Sequence, residues 1–146
     1  MEGDVRLPAG RVTGAAQMIT PFNPLNADWP GVSQGTILKG SGIFLLTGHV
    51  GTDAEGEPVV TSLEDQITAL FENLKATLSA GGLGFEHLGR LTAYVTEGGS
   101  ELIETYRKVR ARYLNADTPP ASVLVQVVEL YDPRLKIEVE AIGVVP

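Results

Sequence analysis

Glu138 is the carboxylate best placed to do chemistry in this chain. Polar and apolar residues alternate from Lys136 to Ala141, so Lys136, Glu138 and Glu140 share one face of a strand while Ile137, Val139 and Ala141 share the other. A carboxylate there, partly shielded by a neighbouring apolar strand, can orient or deprotonate a water. The plainer alternative is a solvated glutamate paired with Lys136 or Arg134, and Glu140 reads as a surface or interface charge. His49 closes the run Leu46-Thr47-Gly48-His49 at the end of an apolar strand. Its titration near neutral pH suits a proton shuttle or, as imidazolium, a contact to an anion; the competing role is a hydrogen bond to a carbonyl. Ser122 and Thr47 carry hydroxyls that can donate to a ligand or satisfy nearby backbone. Arg110 and Arg112 offer cations that could reach a cleft from a helix, or simply a solvated helix face.

Composition removes several other chemistries. There is no cysteine, which excludes disulfides, thiolate nucleophiles and sulfur-ligated zinc. The two histidines, His49 and His87, stand in different settings, and no carboxylate shows ligand spacing, so no metal is expected. His87 falls in a helix-to-strand loop and is expected to be solvated. As a nucleophile Ser122 would need a base and an orienting acid, and its sequence neighbours supply neither. Gly40-Ser41-Gly42 and Gly81-Gly82-Leu83-Gly84 lack the strand-then-helix setting of a phosphate loop and read as turns. A net charge of −7 disfavours nucleic acid as a partner. No run approaches the roughly 20 apolar residues of a membrane span, and Met1 to Arg6 do not open a leader of the basic-then-apolar kind. The expectation is a soluble, cytoplasmic protein.

The elements that must position these residues follow from periodicity. A chain of 146 residues, 43% hydrophobic, is expected to form one domain over 1–146. Residues 1–31, punctuated by Pro8, Pro21, Pro24 and Pro30, read as an irregular arm with at most a short strand near Ala15 to Ile19. Ser33 to Lys39 and Ile43 to Val50 read as a hairpin around Gly40-Ser41-Gly42, the second strand apolar on both faces as far as Leu46 and therefore central. From Ser62 the period becomes helical: Ser62 caps, Asp65 suits the first turn, and Leu63, Ile67, Leu70, Phe71, Leu74 and Leu78 form one stripe that Gly81-Gly82 ends. Residues 88–96 alternate as a strand with one polar face. Leu102, Tyr106, Val109 and Tyr113 then mark a second helix. Pro119-Pro120 hold the chain extended into Val123 to Val128, a β-branched run expected to be central, and Tyr131-Asp132-Pro133 turn it into the strand of Glu138. This order predicts an α+β fold, a single mixed β-sheet with two helices packed on one face. Two helices cannot cover the other face, whose apolar content calls for another subunit.

Five segments in order carry a resemblance: Val32-Ser33-Gln34-Gly35, Leu46-Thr47-Gly48-His49, Gln66 through Asn73-Leu74 to Ala80-Gly81-Gly82, Pro120-Ala121-Ser122, and Lys136-Ile137-Glu138-Val139-Glu140-Ala141. Together they resemble the landmarks of the RidA/YjgF family, over most of the chain from about Gly31 to Val145 in the approximate sense that boundaries allow. The resemblance implies a chorismate-mutase-like fold, a homotrimer with ligand clefts between subunits, and a small-molecule ligand. Catalytic members hydrolyse 2-imino or enamine acids to 2-keto acids and ammonia without a cofactor. Glu138 matches the family's site glutamate. Ser122 stands where active deaminases carry an arginine that clamps the substrate carboxylate; His49 replaces a glutamine, Val32 a tyrosine and Tyr106 an asparagine. The catalytic candidates are thus Glu138 and His49, and the ligand-binding candidates Ser122, Thr47, Gly48, Val32, Tyr106 and Leu124. The implied function is an imine or enamine hydrolase of altered specificity; the alternative is a non-catalytic trimer that binds a small metabolite in the same cleft. A ribonuclease, a third activity attached to the family, is disfavoured by the acidity of the chain.

Overall fold

The computed structural model describes residues 18–25 and 30–146. Its strands are β1 (Ile19–Phe22), β2 (Gly35–Leu38), β3 (Gly42–Val50), β4 (Leu88–Val95), β5 (Ala121–Gln126) and β6 (Ile137–Val145), with helices α1 (Leu63–Ala80) and α2 (Ser100–Arg110). Four strands form one mixed sheet in the order β3-β6-β4-β5, antiparallel except for the β4-β5 pair. Beside it β1 and β2 form a two-stranded antiparallel ribbon. Both helices lie on one face of the sheet, the α+β arrangement expected from the element order.

Each helix forms for reasons visible in its ends. Ser62 takes an extended conformation and its hydroxyl accepts from the Asp65 N–H at 3.0 Å, while Glu64 and Asp65 favour the positive end of α1. At the other end Gly82 adopts a φ of +70°, and the Leu83 N–H reaches back to the Leu78 carbonyl at 2.9 Å, which satisfies carbonyls the helix leaves free. The α1 stripe Ile67, Leu70, Phe71, Leu74 and Leu78 meets Leu91, Ala93 and Val95 of β4 and Ile137, Val139 and Ala141 of β6 in one core. Phe71 stacks on Tyr113 at 5.0 Å between ring centroids and on Tyr106 at 6.1 Å, tying the helices together.

Three expectations are corrected. First, β2 and β3 do not pair as a hairpin: β2 joins β1, and β3 pairs with the C-terminal strand β6. The residues of the expected turn serve that pairing instead, since the Ser41 N–H donates to the Val145 carbonyl at 2.9 Å and the Ser41 hydroxyl to Pro146. Second, neither β3 nor β5 is central; they are the edges, and β6 and β4 lie between them. Their two-faced apolar character arises because the face opposite the helices is itself apolar, with Ile43 69% and Leu45 71% exposed on β3 and Val123 42% and Val125 41% exposed on β5. Third, His87 is buried rather than solvated, and its Nδ1 accepts from the Gly84 N–H at 2.9 Å to close the turn before β4. The short strand expected near Ala15 to Ile19 lies largely outside the described residues; the observed β1 begins at Ile19 and runs through Pro21.

Candidate active site

On β6, Ile137, Val139 and Ala141 are buried under the helices, so Glu138 and Glu140 point to the open face. Neither cation offered by the sequence takes Glu138: Lys136 pairs with Glu97 at 3.1 Å, and Arg134 pairs with Asp132 at 2.7 Å and Glu57 at 3.4 Å. Across the β3-β6 pair the register shifts between Leu46 and His49, a bulge that contains Thr47 and Gly48. A methyl group added at Gly48 would fall 2.0 Å from Glu138 Oε1. The carboxylate therefore lies against bare β3 backbone, and a larger residue at position 48 would push it aside. Glu140 accepts the Tyr94 hydroxyl at 2.7 Å, and this contact raises the phenol's pKa.

His49 lies on the other side of the sheet. It stands opposite the buried Val139; Nδ1 donates to the Thr47 carbonyl at 2.8 Å, which leaves Nε2 to accept from the Thr77 hydroxyl of α1 at 2.8 Å. One ring nitrogen is thus held within β3 and the other ties β3 to α1, and the structure does not bring His49 to Glu138 within one chain. Thr47 lines a cavity of about 290 Å³ on the open face, with Arg90, Thr92, Glu140 and Ile142.

Four of the six ligand-binding candidates meet elsewhere. Val32, Tyr106, Ser122 and Leu124 line a cavity of about 300 Å³ together with Gln34, Arg107 and Arg110. Its walls follow from local chemistry. Pro119 and Pro120 lack N–H groups but keep their carbonyls, which accept from the hydroxyl and N–H of Ser33. That bridge pairs Ser33 with Ala121, laying the segment before β2 alongside β5, and Val32 and Gln34 on either side of it line the same cavity as Ser122. Ser122 pairs with Leu91 and Leu124 with Ala93, so both face the helix side, where α2 supplies the remaining wall. The Tyr106 ring is buried at 1% exposure, its hydroxyl makes no well-formed hydrogen bond among the described residues, and burial pushes its pKa up while the neighbouring Arg110 guanidinium opposes the rise.

Two polar residues of this region carry more than the sequence reading assigned them. Arg110 was one of several cations on a helix that ordinarily faces solvent, yet it is only 6% exposed. A signal for this was present: Arg110 follows Val109 directly and lies four residues after Tyr106, at the border of the buried stripe. Gln66, buried beneath the β6 entrance, donates to the carbonyls of Val59 and Arg134 and accepts from the Lys136 N–H at 2.8 Å, fixing the start of the strand that bears Glu138. Among the described residues no group of three or more histidine or carboxylate side chains is arranged to hold a metal.

A mixed four-stranded sheet with two helices on one face, an open face bearing a glutamate and an edge cavity walled by the second helix define an α+β scaffold. The family described as "Endoribonuclease L-PSP" matches residues 33–145, and the chain belongs to this family, also known as RidA/YjgF. It is 36% identical over 114 residues to Protein DfrA of Myxococcus xanthus, covering 77% of this chain and 83% of that one. It is 28% identical over 106 residues to a RutC family protein of Aquifex aeolicus, covering 71% and 82% respectively. Among solved structures, the Rid-family protein YyfB from Yersinia pestis superposes with a TM-score of 0.78 at 25% identity, covering 88% of this chain and 99% of that one.

Proposed function

We propose that this chain is a hydrolase of imines, enamines or related small carbonyl derivatives, acting without a cofactor in a cleft that two subunits of a homo-oligomer, a trimer in this reading, build together. One observation carries the reading: the two groups of candidate residues cannot meet within a chain. Glu138 and Gly48 lie on the open face between β3 and β6, whereas Ser122, Leu124 and Tyr106 line a cavity at the β5 edge on the helix side. The exposed apolar side chains between them, Leu45, Val123 and Val125 among them, are the surface a neighbouring subunit would cover. Docking one subunit's β5 edge beside another's β6 would put a carboxylate on one wall and hydroxyls on the other.

In that cleft Glu138 takes a proton from a water as the oxygen attacks the C=N carbon of a protonated imine. The tetrahedral adduct keeps both oxygen and nitrogen; Glu138 returns its proton to nitrogen, and as the C–N bond breaks and ammonia leaves, the adduct's hydroxyl proton passes to Glu138 while the C=O bond forms, that proton then going to ammonia to give ammonium and restore the carboxylate. Ser122 and Thr47 donate hydrogen bonds to the substrate, and Val32 and Leu124 contact its apolar part. The acidity of the chain, −7 overall, supports a small-molecule substrate over RNA. The test is release of ammonia and keto acid from freshly generated 2-imino acids. Wild-type protein should accelerate it, and Glu138→Gln, with its fold intact, should lose at least about 100-fold, the usual contribution of a general base. Absence of acceleration for every side chain tried would leave the non-catalytic, metabolite-binding alternative.

A further inference from the structure

We infer that Arg110 is the anion anchor of the edge cavity, holding the carboxylate of a small organic acid from the second helix; this deepens, and rests on, the small-molecule reading of the cleft. The four cations at and just past the end of α2, Arg107, Lys108, Arg110 and Arg112, are treated differently by the fold. Lys108 and Arg112 both pair with Glu64 on the surface. Arg110 is turned inward, and among the described residues no carboxylate pairs with it. Its guanidinium lies over the Tyr106 ring, 5.3 Å from the centroid, and its Nη1 is 3.5 Å from Ser122 Oγ, a long and weak contact.

Among the described residues the guanidinium finds only the weak contact to Ser122 and the neighbouring Tyr106, so it keeps donors that an anion can take, and a cation so little exposed is stabilised by any group that compensates its charge. The last turn of α2 gives partial help, because its carbonyls favour a cation. A carboxylate completes the arrangement: the planar fork of arginine matches its two oxygens, Ser122 stands beside them, and Arg107 adds positive charge at the cavity wall. Val32 and Leu124 offer an apolar surface to the rest of the molecule. At about 300 Å³ the cavity is at the small end of ligand sites, which fits a short-chain acid.

The test compares a carboxylate probe with a neutral ketone of similar size, 2-oxobutanoate and butanone, titrated into the full-length protein and followed by calorimetry and by the side-chain ¹⁵Nε resonance of Arg110. Wild type is expected to bind 2-oxobutanoate more tightly than butanone. Arg110→Met should weaken 2-oxobutanoate at least tenfold while leaving butanone unchanged, and Arg110→Lys should fall between. Equal binding of 2-oxobutanoate by wild type and Arg110→Met, or no preference for it over butanone in wild type, overturns the inference and leaves the cleft reading standing. Binding of neither probe by wild type overturns both. Should Arg110→Met not fold, the wild-type resonance decides: movement with 2-oxobutanoate alone supports the anchor, and no movement contradicts it.

Discussion

The two faces of the four-stranded sheet are built to different degrees of completion. Under the helices Phe71, Leu74, Leu91, Ile137 and Val139 are fully buried, and Gln66 satisfies three backbone groups at the edge of that core. On the opposite face Leu45 and Ile43 are about 70% exposed beside Glu138 and Glu140. The chain therefore finishes its fold on one face only; of the candidate residues, Glu138 and Thr47 lie on the unfinished face, while Ser122, Leu124 and Tyr106 line a cavity on the helix side. β6 alternates accordingly between residues that hold the core and residues that face outward.

The sharpest contrast comes from truncating one side chain on each face. Phe71→Ala should destabilise the protein by roughly 3–5 kcal/mol, since it removes a large buried ring and leaves a cavity among Tyr106, Tyr113 and Phe85. Leu45→Asp should change the stability of the isolated subunit by about 0.5 kcal/mol or less, but lower the mass measured by light scattering if a neighbouring subunit covers that face. Denaturant unfolding read beside light scattering separates the two effects. A Leu45→Asp protein with unchanged mass would mean that the open face is not the interface.

A smaller effect is expected from pH. Hydrogen bonds from Arg112 and Lys108 hold the Glu64 carboxyl below its ordinary range, and Arg134 does the same for Asp132. Depressed native values mean that the unfolded chain binds protons first. Their contribution is present at neutral pH and is lost as the pH falls through the lowered native values, below about 4. Melting temperatures followed from pH 7 downward should stay level until that region and then drop modestly, and replacing Glu64 by Gln should flatten part of the drop.

The helix face was legible in the sequence because its signals are local. The α1 stripe, the Ser62 cap, the glycine stop and the alternation of β4 each depend on neighbours a few residues away. Strand order was not legible. Apolar residues on both faces of β3 and β5 signify burial without saying whether the cover is the same chain or another, so two edge strands read as central ones. The pairing of Ser41 with the far end of the chain likewise leaves no local trace. At the candidate site, the residue types that favour a cleft were visible at Ser122, Tyr106 and Val32, and the structure gathers them. The separation of His49 from Glu138 was not, because the bulge at Thr47-Gly48 decides which way each side chain points. Arg110 and Arg112 differ in sequence only by the spacing of Arg110 from Tyr106, four residues, and the packing of α2 on the sheet turns that spacing into a buried cation beside a surface one.

The most direct measurement of a site shared between subunits is complementation. Glu138→Gln and Arg110→Met are each expected to be inactive as pure proteins. Unfolding and refolding them together in equal amounts makes mixed oligomers, in which about a quarter of the clefts combine an intact Glu138 from one subunit with an intact Arg110 from the next. Recovery of about that fraction of wild-type imine hydrolysis would establish that the two halves come from different chains. If the mixture stays as inactive as its parents while wild type refolded in parallel regains activity, the shared cleft is wrong.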